Sequence, residues 1–286
     1  MDRRVILLIS VVLAGIALLL WNLKTTDIKS GISSPEKSVQ WIRNAGKAAP
    51  SAPDAGKVSA KEPVPPMVAL VLDDFGYTKK NLESLKGLGI KVTLAVLPNT
   101  TYAKSVCEFA RKNNMDVLLH LPMEPEGKKD HLEKNTILMD MDTAEVENII
   151  SRAFLSVYAA KGISNHMGSK STANGRIMSI VMMDLKKRDM FFLDSRTTED
   201  SICGEAARDA GVPYLRRDIF IDSDMDRGRI AEQMKKVEKA ALAGGVVVAI
   251  GHDRTLTVGV MREVVPGMER KGIKFVNISE LVNGGK

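Results

Sequence analysis

The sequence is poor in cysteine. Among its 286 residues, only Cys107 and Cys203 are cysteines, and they are far apart and form no CxxC motif. Zinc sites built on cysteine pairs are therefore unsupported. We expect both cysteines to be small, buried, apolar side chains. A disulfide between them is compatible with a location outside the cytoplasm, but two distant cysteines do not specify one.

Several catalytic signatures are also absent. The sequence has no G-x-S-x-G elbow, no GxxxxGK[ST] loop, no HExxH motif and no clear G-x-G-x-x-G after a predicted strand. These absences argue against α/β-hydrolases, P-loop enzymes, zincins and dinucleotide-binding proteins. A Ser–His–Asp triad stays open as an alternative, and Ser169 near His166 is its best candidate.

The main body of the chain lacks a basic excess. Residues 67–286 contain 32 Lys and Arg against 30 Asp and Glu, whereas residues 1–66 contain 9 against 5. A protein that binds nucleic acid usually presents a basic face that displaces counterions from the phosphates. We therefore expect no nucleic-acid partner.

One long hydrophobic run is present, and it lies at the N-terminus. Residues 5–21 carry no charge and follow Arg3 and Arg4. Because a helix rises about 1.5 Å per residue, this run nearly spans a hydrocarbon core, with Trp21 at the far interface. We predict a single-pass signal anchor at residues 1–23, with a cleaved signal peptide as the alternative. Either interpretation implies that the body of the protein is exported.

The predicted anchor is followed by a segment that has little to bury. Residues 24–66 are rich in Lys, Ser, Ala, Pro and Gly and have few apolar side chains. This composition is typical of an extended, disordered linker. The folded domain is therefore predicted to occupy residues 67–286.

From Met67 onward, short apolar runs alternate with helical patterns. A helix is predicted over residues 143–158, where apolar residues recur every three or four positions and Asp142 with Glu145 resembles a capping box. Strands and helices in alternation favour a parallel sheet covered by helices. We predict an irregular α/β fold, a (β/α) barrel of seven or eight largely parallel strands, with a doubly wound open sheet as the alternative. The apolar runs are residues 67–72, 92–97, 116–121, 162–164, 190–193, 214–221, 246–250 and 274–278.

Polar side chains gather at the predicted strand ends, where the chemistry of such folds is found. Any one of them alone would be read as a cap or turn residue. Asp222, Asp224 and Asp226 are interpreted in this way, before a helix near residues 229–243. The meeting of three histidines and two adjacent aspartates at one rim favours a site. The residues concerned are Asp73, Asp74, His120, Glu124, Asn165, His166, Ser169, Asp194, Arg196 and His252.

Carboxylate and imidazole together are a suitable ligand set for Zn²⁺ or a similar divalent ion. Three protein ligands leave a position for water, and the ion lowers the pKa of that water. A second carboxylate can then accept the proton. One aspartate of the pair at 73–74 is therefore expected to bind the ion while its neighbour handles the proton.

Six blocks, in order along the chain, resemble a known family. LDDFGY resembles the first motif of polysaccharide deacetylases, in which a strand ends in paired aspartates. With TLAVLP, LLHLPMEP, NHMGS, FFLDSRT and AIGH, it resembles the divergent polysaccharide deacetylase family of bacterial envelope proteins. The resemblance covers about residues 67–282 and implies an irregular (β/α) barrel with a metal-dependent deacetylation site.

The resemblance also implies roles for individual residues. Asp73 matches the general base, Asp74 and His120 match metal ligands, and His252 matches the general acid. The family's usual second histidine of a His-x-x-x-His pair is replaced by Glu124, and its Arg/Pro-rich third motif is not apparent. His166 is therefore proposed as the third ligand, with Glu124 as the fallback.

The remaining polar residues receive supporting roles. Asp194 is proposed to orient a histidine, and Asn165, Ser169 and Arg196 are proposed as substrate contacts. The predicted function is a metal-dependent hydrolase that removes acetyl groups from a cell-envelope polysaccharide or peptidoglycan and is anchored in the cytoplasmic membrane. Two alternatives are a non-catalytic glycan-binding or scaffolding protein with the same fold, and a metallohydrolase for another bond such as a phosphoester.

Overall fold

The computed structural model of the chain describes residues 65–127 and 131–283. These residues belong to one compact unit, Lys61–Lys286. The predicted membrane helix, residues 1–23, and all but the last two residues of the predicted linker lie outside the described ranges. Within those ranges, no helix combines the length and the apolar character that crossing a membrane requires.

Strands and helices alternate along the described chain. The strands are β1 (Met67–Phe75), β2 (Thr93–Val96), β3 (Val117–Met123), β4 (Ala160–Met167), β5 (Phe191–Asp194), β6 (Tyr214–Arg216), β7 (Ile219–Phe220), β8 (Val246–His252) and β9 (Lys274–Phe275). The helices are α1 (Leu82–Lys86), α2 (Ala103–Lys112), α3 (Thr143–Ser156), α4 (Gly175–Lys187), α5 (Cys203–Ala210), α6 (Arg227–Leu242), α7 (Thr255–Arg270) and α8 (Ile278–Asn283).

The sheet is parallel at every strand pair and nearly closes on itself. Its strand order is β6-β5-β4-β3-β2-β1-β8-β7, with β9 beside the start of β1. β6 and β7 lie at opposite ends of this order, yet only Arg217 and Asp218 separate them. Because consecutive Cα atoms are about 3.8 Å apart, the two edges of the sheet come within about 11 Å of each other here.

The sheet is therefore curled, as the predicted (β/α) barrel requires, and it stays open along one seam between β6 and β7. The doubly wound open sheet is wrong, because its edges would be far apart. The apolar run at residues 214–221, which was predicted as one strand, forms both edges of the seam. A sheet that curls back on itself needs these two short strands to pair with different neighbours, β5 and β8.

Alternation along each strand divides the core in two. On β1, Leu70 and Leu72 point outward and pack with the helices, whereas Ala69 and Val71 point into the barrel. All four side chains are fully buried. Burial of each leucine stabilises the fold by roughly 1.5–3 kcal/mol. The next inward position on β1 after Val71 is Asp73, so the alternation itself carries a carboxylate to the C-terminal end of the barrel.

Helix α8 closes the N-terminal end of the barrel. Its residues Ile278, Leu281 and Val282 pack with the inward-facing apolar cluster. The N–H of Ile278 donates to Oγ1 of Thr93, at the start of β2. The other end of the barrel, the C-terminal ends of β1, β3, β4, β5 and β8, has no such plug among the described residues; we call it the rim.

Two sequence-based cap predictions are confirmed. Helix α3 begins after Asp142, whose side chain accepts the N–H of Glu145, while the Glu145 side chain accepts the N–H of Asp142. This is the predicted capping box. Asp226 caps α6 by accepting the N–H of Arg229.

Candidate functional site

The two adjacent aspartates at the end of β1 reach the same imidazole because the strand is irregular there. In a regular strand, consecutive side chains point to opposite faces. Here the register with β2 shifts between Leu72 and Phe75, and Asp74 has a φ of 67°. A left-handed residue at a bulge re-aims its side chain. As a result, Asp73 Oδ2 lies 3.7 Å and Asp74 Oδ1 lies 3.3 Å from Nε2 of His120.

Three histidines come to the rim by ordinary strand alternation. His120 follows the inward-facing Leu118 by two positions, and His252 follows the inward-facing Ile250 by two. His166 lies near the end of β4, and its ring meets that of His120 edge to face with centroids 5.0 Å apart. The fourth histidine, His131, lies outside these strands.

Asp74, His120 and His166 form a group that could hold a metal ion. Each offers one ligand atom, and these atoms all lie within 4.8 Å of one another. Oδ1 of Asp74 is 3.0 Å from Nδ1 of His166 and 3.3 Å from Nε2 of His120. Nδ1 of His120 lies 2.9 Å from the Ser164 hydroxyl, which fixes the ring with its Nε2 toward Asp74.

The donor set fits a divalent cation. Although Oδ1 of Asp74 is buried between two imidazoles, it makes no hydrogen bond of acceptable geometry to either of them. Burial raises the pKa of Asp74, but His120 and His166 outweigh burial and hold it well below its ordinary value. Burial, only partly offset by Asp74, lowers the pKa of His120 to about 4. An ionised carboxylate beside a neutral imidazole is what Zn²⁺ and similar ions bind.

Asp73 differs from its neighbour in environment. Its side chain is almost fully buried, and Oδ1 has no hydrogen-bond partner among the described residues. Burial raises the pKa of Asp73 well above its ordinary value, and the nearby Asp74 and Asp222 add to the rise while Arg217 opposes it. A carboxyl group whose pKa is raised in this way is suited to exchange protons near neutral pH.

His252 is held from behind by Asp222. Its Nδ1 lies 2.8 Å from Oδ1 of Asp222, and its Nε2 lies 3.8 Å from Oδ2 of Asp74. The second oxygen of Asp222 accepts the backbone N–H of His252 and the hydroxyl of Thr257. Burial raises the pKa of Asp222, but His252 and Thr257 outweigh burial and lower it. This arrangement aims Nε2 of His252 at the same space as Asp73 and Asp74.

Asp222 is the site residue that the sequence interpretation missed. It was assigned to the turn and cap before α6, and for this residue that assignment is wrong. The residue is fully buried and lies two positions after the end of strand β7, much as Asp73 and His252 come at the ends of their own strands. Its position at a strand end was the available signal, and the neighbouring Asp224 and Asp226 masked it.

Other predicted site residues are engaged elsewhere. Glu124 is fully buried, accepts the backbone N–H of Met139 and pairs with Lys170 at 2.7 Å; it is not one of the three residues whose ligand atoms converge. The Ser169 hydroxyl accepts the N–H of Glu126 at 2.9 Å, so its described hydrogen bond fixes a loop.

Asp194 does not orient a histidine in the described residues. Its carboxylate accepts the N–H of Arg196 and the hydroxyls of Ser201 and Tyr214. The carboxylate that holds a histidine is Asp222 instead. Asn165 lies just before His166 and connects two strand ends, because its side chain accepts the N–H of Ser195.

Neither cysteine belongs to the site. Cys107 and Cys203 are both buried and not joined by a disulfide. Burial raises the pKa of the Cys203 thiol to about 12, which makes it unreactive. The prediction of two buried apolar cysteines is confirmed.

Comparisons with known proteins agree with this architecture. Residues 70–282 match the sequence model of the family described as divergent polysaccharide deacetylase. The chain is 36% identical over 216 residues to the uncharacterized protein YibQ of Escherichia coli K12, a match that covers 76% of this chain and 67% of that protein. An uncharacterized protein of Haemophilus influenzae is 33% identical over 195 residues, which is 68% of this chain and 69% of that protein.

A solved structure supports the fold. The crystal structure of the uncharacterized protein ATU2773 from Agrobacterium tumefaciens C58 matches with a TM-score of 0.71 at 21% sequence identity. The match covers 78% of this chain and 92% of that chain. At this level of identity, the likeness shows a shared fold.

Proposed function

Because this chain belongs to the divergent polysaccharide deacetylase family, we propose that it is a metal-dependent hydrolase that removes acetyl groups from a cell-envelope polysaccharide or peptidoglycan. One observation carries the proposal: the ligand atoms of Asp74, His120 and His166 lie within 4.8 Å of one another. Beside them lie a buried carboxyl group, Asp73, and a histidine backed by a carboxylate, His252. Residues that would hold a Lewis acid, together with a base and an acid, are what acetyl hydrolysis requires.

Asp74, His120 and His166 would hold the ion, and the donor set favours Zn²⁺ or a similar divalent cation. When bound, such an ion polarises an acetyl carbonyl and makes hydroxide available near neutral pH. Three protein ligands leave room for water and substrate at the open side. Ser164 keeps the His120 ring oriented through its hydrogen bond to Nδ1.

Asp73 is assigned the general base. Its Oδ2 lies 3.7 Å from Nε2 of His120, beside the proposed metal ligands, where it can accept a proton from an attacking water. Burial is the main cause of the raised pKa of Asp73, and a raised pKa allows the carboxyl group to hold the accepted proton until a later step. Asp74 cannot take the same role while it binds the ion, which explains the need for two carboxylates at one strand end.

His252 is assigned the general acid. As the bond between the acetyl carbon and the sugar nitrogen or oxygen breaks, Nε2 donates a proton to the departing amine or hydroxyl. Asp222 accepts a hydrogen bond from Nδ1 and stabilises the protonated ring. The products are then acetate and a free amine or hydroxyl on the glycan.

We further propose that the domain acts outside the cytoplasm, tethered by the apolar residues 5–21 and the linker that follows. The charges of Arg3 and Arg4 favour an N-terminus that stays on the cytoplasmic side. Membrane fractionation, followed by protease treatment of spheroplasts, tests this location. Digestion of the domain only after the cells are lysed would contradict it.

The test of the function uses the purified chain after loading with Zn²⁺. Bound metal is measured by mass spectrometry, and acetate release is measured from chitooligosaccharides and from peptidoglycan. We expect about one ion per chain and acetate release from at least one of these polymers. A protein that bound a glycan tightly but released no acetate from any of them would be a glycan-binding scaffold, and the enzymatic proposal would be wrong.

A further inference from the structure

Three residues at the rim have a left-handed backbone although they are not glycine. They are Asp74 at the end of β1, Met167 at the end of β4 and Arg196 just after β5, with φ values of 67°, 51° and 49°. Such residues cost of order 1–3 kcal/mol each and persist where the surroundings enforce them. The bulge at Asp74 is explained by the metal site, whereas the conformation of Arg196 serves no residue named in the proposed mechanism.

The backbone around Arg196 is held from several directions. Asp194 accepts the N–H of Arg196 at 2.7 Å, and Asn165 accepts the N–H of Ser195 at 2.9 Å. Arg217 donates from Nε to the carbonyl of Ser195 at 2.7 Å and from Nη2 to the carbonyl of Arg196 at 2.9 Å. Four hydrogen bonds from three side chains therefore fix a strained turn of two residues.

This turn lies one strand away from the candidate metal ligands. In the parallel register of β4 and β5, Ser164 pairs with Leu193, so the continuation of the two strands brings Arg196 level with Met167. The Thr197 hydroxyl donates to the carbonyl of Met167 at 3.0 Å, which ties the two strand ends together. Neighbouring strands are about 4.8 Å apart, so Arg196 is within side-chain reach of the space beside His166.

The Arg196 guanidinium is the unengaged part of this turn. It is partly buried, and no hydrogen bond or ion pair joins it to another residue in the described part of the chain. The carboxylate of Asp194 is already occupied by three donors. Arg217, a second guanidinium nearby, is committed to two carbonyls and lies over the ring of Phe220.

We propose that Arg196 binds an anionic substituent, a carboxylate or a phosphate, on the glycan that occupies the candidate active site. This inference rests on the proposed function for the glycan, but it concerns binding rather than turnover. A planar guanidinium with free donors matches both anions in a bidentate manner. The guanidinium groups of Arg196 and Arg217 lie at one side of the rim, and within the described ranges no ion pair joins Arg196 to an acidic side chain, which favours a negative ligand there.

The experiment compares three oligosaccharides that share one N-acetylated sugar backbone. One carries the lactyl carboxylate of N-acetylmuramic acid, one has that carboxylate reduced to an alcohol, and one carries a phosphate ester. Isothermal titration calorimetry measures binding to the Zn²⁺-loaded chain, and acetate release is measured in parallel. We expect at least one anionic oligosaccharide to bind about tenfold or more tightly than the alcohol.

The variants separate the effect of the guanidinium charge from the effect of the left-handed backbone at residue 196. Arg196→Asn removes the guanidinium while keeping a residue that tolerates a left-handed backbone. It is expected to remove the preference for the anion and to leave binding of the alcohol unchanged. Arg196→Lys should retain part of the preference. Arg208→Asn, which changes an arginine whose side chain is 74% exposed on α5, is the matched control and should behave as the wild type.

Three results would overturn the inference, and the first two are equal binding of all three oligosaccharides by the wild type and an equal loss of binding for all three in Arg196→Asn. Inorganic phosphate serves as a competitor that distinguishes a site for free anions from a site for a glycan substituent. Displacement of the anionic oligosaccharide by phosphate at low concentration would also contradict recognition of a glycan substituent. If no acetate is released while the Arg196-dependent preference persists, the proposed enzymatic function fails and the inference on binding stands.

Discussion

The two ends of the barrel treat their buried polar groups in opposite ways. At the N-terminal end, Asp116 accepts the N–H of Ser279 and pairs with Lys161, while its own N–H donates to Asn277. At the rim, Oδ1 of Asp73 is buried without a hydrogen-bond partner among the described residues, and Oδ1 of Asp74 faces the imidazoles of His120 and His166. The buried carboxylate at the N-terminal end is paired with a lysine, whereas those of Asp73 and Asp74 at the rim are directed at a common space.

This difference gives the two ends of one sheet different roles: the N-terminal end stabilises the fold, and the rim carries the candidate site. Satisfied polar groups beneath the barrel fasten the C-terminal helix α8 over the inward-facing apolar cluster. At the rim, burial and the neighbouring carboxylates of Asp74 and Asp222 raise the pKa of Asp73, so the ionised form of Asp73 costs energy in the folded chain. Such an arrangement persists where function requires it, and under the proposed function a bound cation offsets the cost.

The largest effect is expected from Asp74→Asn. Loss of the charged oxygen between His120 and His166 removes a proposed metal ligand. Mutation of a residue that only hydrogen-bonds to a ligand already lowers metal affinity by about 10- to 100-fold, so loss of the ligand itself should lower it at least as much. We expect metal content after dialysis to fall below a tenth of an equivalent, roughly, and acetate release to fall with it. Metal content is read by mass spectrometry. Retention of a full equivalent would show that the ion is held elsewhere.

Asp73→Asn is expected to have a nearly equal effect on turnover and none on metal content. Loss of a general base typically lowers kcat by about 10²–10⁴-fold. The same change relieves a buried carboxyl group, so the melting temperature should rise or stay the same. Steady-state kinetics and thermal unfolding check both parts. A variant with normal kcat would remove Asp73 from the mechanism.

Asp222→Asn is expected to lower kcat by about 10- to 100-fold, because the amide stabilises the protonated His252 ring less well. Metal content and KM should stay close to wild type, which a general loss of structure would not allow. Thr257→Val is the matched control, since it removes one hydrogen bond to Asp222 and leaves the carboxylate in place. A larger loss in Thr257→Val than in Asp222→Asn would contradict the assigned role of Asp222.

The smallest effect on activity is expected at the opposite end of the barrel. Asp116→Asn weakens the contacts with Ser279 and Lys161 and should lower the melting temperature by about 2–8 °C, from one or two buried polar contacts. Metal content and kcat of the folded protein should not change. A loss of bound metal in this variant would contradict the claim that the N-terminal end of the barrel contributes to stability alone.

Much of the rim was predictable from the sequence because strand ends in a parallel sheet share one edge. The apolar runs located Asp73, His120 and His252, and the capping pattern located helix α3. The pair at 73–74 could be suspected of sharing one site, but its geometry could not be derived. Strict alternation along the strand would point the two carboxylates to opposite faces of the sheet. The sequence Asp-Asp does not indicate that residue 74 adopts a left-handed backbone.

The features that escaped the sequence interpretation all depend on distant parts of the chain. The run at 214–221 looks like one strand, and only closure of the whole sheet divides it between two edges. Asp222 and His252 are 30 residues apart and meet because β7 and β8 are neighbours. Arg217 donates to carbonyls just after β5 because it follows β6, the neighbour of β5 in the sheet, and no local sequence pattern indicates this contact.

The most direct test of the account is a crystal structure of the Zn²⁺-loaded protein with data collected on either side of the zinc absorption edge. The account predicts one anomalous peak about 2.0–2.2 Å from Oδ1 of Asp74, Nε2 of His120 and Nδ1 of His166. Asp73 and Nε2 of His252 should flank the peak without binding it. A peak held by His252 and Asp222 instead, or no peak within reach of Asp74, would contradict the central claim.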